Sequence, residues 1–287
     1  MEPQPLAYLD RTFLESDEAR PIRILAEYLE PLRRFRQQLI QDTVVFFGSA
    51  RIHSRELAEQ SLAALVKKSI GMDTARHEEA LRRGRKAVEW SRYYEEAREL
   101  AKMHARWAKS LEGPNHRFVV CSGGGPGIME AANRGATEAG AKSIGLNIKL
   151  PYEQGPNSYI TPGLHFEFHY FFMRKFWFAY LAKSLVIFPG GFGTLDEMFE
   201  ILTLMQTDKL AKQIQIVLYG TEYWDPILDL QPMEEWGAIN PIDRNLLVRA
   251  NTPHEACELL KKHLTEHHLT PPVAQEMKAP GIAKTRA

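Results

Sequence analysis

The chain has 287 residues, 44% hydrophobic and 25% charged, enough for one large α/β domain or two small ones whose core needs no metal or disulfide. Lys plus Arg number 36 and Asp plus Glu 36, a balance that argues against a broad nucleic-acid surface but leaves room for a small basic pocket for one phosphate. The two cysteines, Cys121 and Cys257, lie far apart in apolar surroundings; they read as small buried residues, offer no disulfide framework and suit a reducing cytoplasm.

The N-terminus lacks a basic segment followed by an apolar one, and no apolar run reaches the length of a membrane span, so a soluble cytoplasmic protein without a membrane partner is expected. Residues 1–40 read as a helical extension with Ile22, Leu25, Leu29, Leu32 and Phe35 on one face. The apolar run Val44–Phe47, closed by Gly48-Ser49-Ala50, predicts a buried strand entering a turn. Residues 55–112 have helical periodicity, many charges and few breakers, and Gly113-Pro114-Asn115 ends them. Four further apolar runs follow at Phe118–Cys121, Ile144–Ile148, Ser184–Phe188 and Ile214–Tyr219. Strands alternating with helices predict βαβ units, hence a parallel sheet with helices on both faces. The nucleotide-binding domain is expected to span residues 41–264, and periodicity fades from 265 onward, so residues 265–287 are expected to be a disordered tail.

Two strands run into Gly-rich loops. Gly123, Gly124, Gly125 and Gly127 follow the second strand and precede a helix, an arrangement in which backbone N–H groups and the helix N-terminus can hold an anion. The spacing matches neither the dinucleotide nor the Walker fingerprint, and a tight turn with a small-residue packing face is the competing reading. Gly190, Gly191 and Gly193 repeat the plan ahead of another helix. There Thr194 is expected at the N-cap, and Thr194-x-x-Glu197 could be no more than a capping box. Two such loops at the carboxyl ends of parallel strands can, however, face one crevice, with Glu197 pointing into it and Glu200 as its partner or a solvated neighbour.

Residues 165–184 carry nine Phe, Trp and Tyr residues around Arg174-Lys175 and read as one helix buried on all sides, by the core and a second subunit. A buried guanidinium needs a partner, so Arg174 either forms an ion pair or faces an oxyanion. His165 and His169 flank Glu167 in an order that gives no metal site, and His263, His267 and His268 read as solvated.

SGGGPGIMEAAN, FFMRK and PGGFGTLDE, in this order, resemble the LOG ("lonely guy") phosphoribohydrolases, whose members often carry a lysine decarboxylase label. The resemblance covers roughly residues 42–262 and implies a Rossmann-like fold, a homodimer or higher oligomer, and release of free base and ribose 5-phosphate from a nucleoside 5′-monophosphate. It implies Arg174 and Glu197 as the catalytic pair. Lys175, Thr203, Glu153 and the Pro189–Thr194 loop would contact the nucleotide, with Ser49 and Gly123–Gly127 lining the same pocket. No cofactor is implied, and nothing in the chain reads as a pyridoxal phosphate site. The plant members have a histidine two residues before the Arg-Lys pair, where Phe172 stands here, so the base could be adenine, prenylated adenine or a broader set. A nucleotide carrier of the same fold, or an oligomer whose glycines and Arg–Glu pair only pack, are the rival readings.

Overall fold

The computed structural model describes residues 5–67, 74–149, 155–210 and 212–269. Two N-terminal helices, α1 (Arg11–Glu15) and α2 (Arg20–Gln37), lead into β1 (Thr43–Phe47). A helical hairpin, α3 (Arg55–Lys67) and α4 (Thr74–Lys109), precedes β2 (Val119–Ser122), α5 (Ile128–Glu138), β3 (Ser143–Ile148) and β4 (His165–Phe168). Then come α6 (Phe171–Leu181), β5 (Ala182–Ile187), α7 (Phe192–Gln206), β6 (Gln215–Tyr219) and the short α8 (Thr221–Trp224) and α9 (Gln231–Glu235). The edge strand β7 (Leu247–Ala250) and α10 (Pro253–Leu264) complete the fold.

The seven strands form one sheet in the order β4-β3-β2-β1-β5-β6-β7, and every pairing is parallel. The central strands read as unbroken apolar runs because both faces are covered. Along β1, Val45 and Phe47 face one core with Phe35 of α2, Phe178 of α6 and Met198 of α7; Val44 and Phe46 face the other with Tyr94 of α4, Ile128 of α5 and Leu260 of α10. The α/β class, the parallel sheet, the N-terminal helices and the helical insertion are those expected from the sequence.

Several local readings need correcting. Residues 165–184 are not one helix: His165–Phe168 is strand β4, with Phe166 and Phe168 buried and His165 and Glu167 turned outward. Helix α6 begins only at Phe171, and in the single chain Phe171 and Phe172 are left half-exposed. Thr194 is not an N-cap: α7 starts at Phe192 with Gly191 as its cap residue, which places Thr194 at the third helical position, buried. His263 is buried rather than solvated, and the His268 ring lies 2.9 Å from the Gln213 carbonyl. A π-helical turn, Thr265–Leu269, continues α10 into the segment expected as tail, and residues 270–287 lie outside the described residues. Both cysteines are buried, as expected. No described helix is long and apolar enough to cross a membrane.

Candidate active site

Strand order reverses between β1 and β5: from β1 the chain builds outward to β4, then returns to lay β5 on the other side. Crevices at such switch points, outside the carboxyl ends of the strands, are where open α/β sheets bind ligands. Here β2, β1 and β5 are neighbours, so the loops that leave them stand side by side. Backbone hydrogen bonds tie the three together, with the Ser49 N–H donating to the Pro189 carbonyl at 2.9 Å and Ile128 N–H to the Ser49 carbonyl at 3.1 Å. The Ser49 hydroxyl accepts the Arg51 N–H at 3.1 Å, which closes the β1 loop on itself.

Each Gly-rich loop is anchored through its carbonyls. In the first, the Asn157 side chain donates to the Gly124 and Gly125 carbonyls, each at 3.0 Å, and to Asn133 Oδ1 at 2.9 Å. Asn133 is fully buried, bonded also to Ser122, Ser143 and the Ile144 carbonyl, so the network has no idle polar end. In the second, the Tyr223 hydroxyl donates to the Gly190 carbonyl at 2.8 Å and the Trp224 indole N–H to the Ile187 carbonyl at 3.2 Å. The N–H groups of Gly190, Gly191, Phe192, Gly193 and Thr194 find no acceptor among the described residues. Five adjacent free donors at the start of a 15-residue helix make an anion cradle, with the helix dipole adding to it.

The glycines divide into two kinds. Gly127 is demanded by the chain, since its φ of +71° is left-handed and a Cβ would stand 2.4 Å from the Ser49 carbonyl oxygen. Gly191 and Gly193 are not: neither has positive φ, and a Cβ on either would meet open space. A tight turn does not explain these two, whereas the approach of a ligand to bare backbone does.

Beside the cradle, α6 and α7 place Arg174 and Glu197 in contact, Nη2 to Oε1 at 3.0 Å, with the side chains 15% and 7% exposed. Glu197 lies five residues beyond Phe192, about 7.5 Å along the axis at 1.5 Å per residue. Burial holds the Glu197 carboxyl above the ordinary carboxylate range, with the Arg174 and Lys175 charges partly offsetting it. Arg174 lies 5.5 Å from the ring centroids of both Phe171 and Phe178, and its buried Nε has no acceptor among the described residues. A buried guanidinium N–H without an acceptor is a donor kept for something else. Lys175 bridges Asp196 at 2.8 Å and Glu200 at 2.9 Å. Burial disfavours its ammonium, but these two hydrogen bonds prevail and its pKa is raised.

Of the residues expected from the sequence, the fold thus brings Arg174, Lys175, Glu197, Ser49, Gly190, Gly191, Gly193 and Thr194 to one edge, with Gly123, Gly124, Gly125 and Gly127 on the adjoining loop. Thr203 is elsewhere in the single chain: it is exposed, its hydroxyl donates to the Phe199 carbonyl at 2.8 Å, and it lies eleven residues along α7, about 16 Å beyond the cradle. Glu153 lies outside the described residues. Asn157 and Tyr223 were not visible as site residues, because each acts on a loop remote from it in sequence. Asn133 closes the motif SGGGPGIMEAAN, but its buried network is not written in that motif. Among the described residues no group of His, Cys, Asp and Glu could hold a metal.

The family model described as "Possible lysine decarboxylase" matches residues 129–260, just under half of the chain. A rice protein (Oryza sativa subsp. japonica) named "Probable cytokinin riboside 5′-monophosphate phosphoribohydrolase" is 28% identical over 152 residues, 52% of this chain and 61% of that protein. The chain therefore spans less than two thirds of that relative. An Arabidopsis thaliana protein named "Cytokinin riboside 5′-monophosphate phosphoribohydrolase" is 25% identical over 151 residues, 52% of this chain and 69% of that one. Among solved structures, a molybdenum cofactor carrier protein from Chlamydomonas reinhardtii covers 78% of this chain and 99% of its own at 18% identity, with a TM-score of 0.44. At that score the likeness carries no argument. Lys175, beside the cradle, is held by two carboxylates and is not the uncommitted amine that a pyridoxal Schiff base needs.

Proposed function

With the LOG-family resemblance borne out by the model match and the relatives, we propose that this chain hydrolyses the N-glycosidic bond of a nucleoside 5′-monophosphate to free base and ribose 5-phosphate. The observation that carries the reading is the buried Arg174–Glu197 pair beside a cradle of N–H groups that have no acceptor among the described residues. The cradle takes the 5′-phosphate, and Glu197 stands deeper, where the sugar would lie. As the bond from C1′ to the base nitrogen lengthens, positive charge builds on the ribose; the Glu197 carboxylate stabilises it and orients the attacking water. Water oxygen bonds to C1′, the electron pair of the broken bond leaves with the base, and the proton lost by water balances the one the base gains. Arg174 holds Glu197 through one nitrogen and keeps Nε for the ligand. Phosphate binding far from the reacting carbon positions the sugar, so free nucleosides are poor substrates.

The test is incubation with AMP, other nucleoside monophosphates and a prenylated AMP, following free base by chromatography. Wild type should release base, and Glu197→Ala should lose about 10²–10⁴-fold of it. Equal activity in the variant would remove Glu197 from the mechanism; nucleotide binding without release would make the chain a carrier.

A further inference from the structure

The hydrolytic reading leaves the long α3–α4 hairpin without a role. Helix α4 has 36 residues, yet its buried residues begin only at Ser91, and the turn around Trp90–Tyr93 lies against the β6–α8 junction. The Trp90 ring meets the Tyr223 ring edge-on, with centroids 5.3 Å apart and planes at 89°. Arg92 forms an ion pair with Glu222, and the Tyr93 hydroxyl donates to the same carboxylate at 3.1 Å. The Tyr93 ring fills the space beside Gly220, where a Cβ would stand 2.8 Å from Cε1. A four-residue helix such as α8 cannot hold its own orientation; Trp224 and Asn251 anchor it on the sheet side, and α4 supplies the contacts to the Tyr223 ring and Glu222.

What α8 does with that orientation is to hold the second Gly-rich loop. The Tyr223 hydroxyl bonds the Gly190 carbonyl. That carbonyl and the Gly191 N–H belong to one rigid trans peptide plane and point in opposite directions. Holding the oxygen toward Tyr223 therefore turns the Gly191 N–H the other way, among the free donors of the cradle. A Gly-Gly peptide has little steric resistance to rotation, and a flipped plane would present a carbonyl where a phosphate needs an N–H. We infer that Tyr223 is a positioning residue for the phosphate-binding loop, and that α4, through Trp90, keeps Tyr223 in place. The inference rests on reading that loop as a phosphate cradle.

Tyr223→Phe removes one oxygen and keeps the ring. Its dissociation constant for inorganic phosphate, measured by calorimetry, should rise about tenfold, and so should KM for AMP. The kcat should stay within about twofold, and kcat/KM for adenosine, which has no phosphate, should not change. Trp90→Leu should move the same quantities in the same direction by about threefold, and it serves if Tyr223→Phe folds poorly. Unchanged phosphate affinity in Tyr223→Phe overturns the inference, as does an equal loss for AMP and adenosine, which would mean general loosening. Wild type that releases no base but binds phosphate would end the hydrolase reading and leave the phosphate comparison to decide this one. Wild type that does not bind phosphate would overturn both.

Discussion

Glu197 shows how little of a residue's role is written in its local sequence. Thr194 and Glu197 have capping-box spacing, yet the helix starts two residues before Thr194, and the carboxylate is spent on Arg174 of another helix. Helix start and ion pair depend on the packing of α6 against α7, which a local pattern cannot convey. The raised pKa of Glu197 has a kinetic consequence. If its carboxylate is the working form, kcat/KM for AMP rises with pH through a pKa above that of an ordinary glutamate. Lys175 lowers that pKa by its charge, so Lys175→Ala should move the ascending limb to still higher pH; a limb that stays in place would free Glu197 from this role. Gly193 gives a second residue-scale prediction. It stands in the first turn of α7 with open space at its Cβ position, so Gly193→Ala should leave stability unchanged or raise it by up to ~1 kcal/mol. The same substitution should weaken AMP binding at least tenfold, because the methyl enters the cradle. Urea unfolding beside a KM measurement checks both signs, and weakened folding with intact binding would contradict the argument.

At the scale of elements, the interior strands were legible and the two edge strands were not. Strands β1, β2, β3, β5 and β6 are covered on both faces and therefore write continuous apolar runs into the chain. Strands β4 and β7 have four residues each at the sheet edges; β4 buries only Phe166 and Phe168, and its aromatics merge in sequence with those of α6. The exposed apolar residues tell of an element-scale need as well. Helices α2 and α6 flank a groove of about 600 Å³ that includes Leu25 and Phe172, both about half-exposed. Phe192 at the rim of the cradle is 92% exposed. We propose that a second copy of the chain covers this face, a contact that pairs the same patch with itself about a two-fold axis. Wild type should then sediment as a dimer or larger, and Leu25→Glu with Phe172→Glu should shift it toward monomer. A monomeric wild type would sink the proposal.

The whole molecule adds a dependence on pH that no motif announces. Phe118, just before β2, has a left-handed φ of +51°, rare for an aromatic residue. Its N–H is held by Asp42 at 2.5 Å, and its carbonyl lies 2.8 Å from Nε2 of His104, which donates to it as a neutral ring. His104 is fully buried in α4, and burial pushes its pKa down to about 4; burial likewise brings His268, whose ring packs near Phe118, to about 3. The unfolded chain binds protons at both histidines near pH 6.5, while the folded chain does not. Stability is therefore complete above about pH 6.5 and is lost as pH falls from there toward 4. For His104 alone the loss is on the order of 3 kcal/mol, at 1.36 kcal/mol per pKa unit. Asp42 works the other way, because burial raises its pKa against the pull of Arg117 and Lys183, so its folded form takes up a proton first and offsets part of the loss. Unfolding free energies from urea titrations at a series of pH values should fall across this window, and His104→Gln should reduce the slope by about one proton. A flat profile, with no change on His104→Gln, would mean that His104 does not titrate differently in the folded and unfolded chain, and would remove it from the pH dependence.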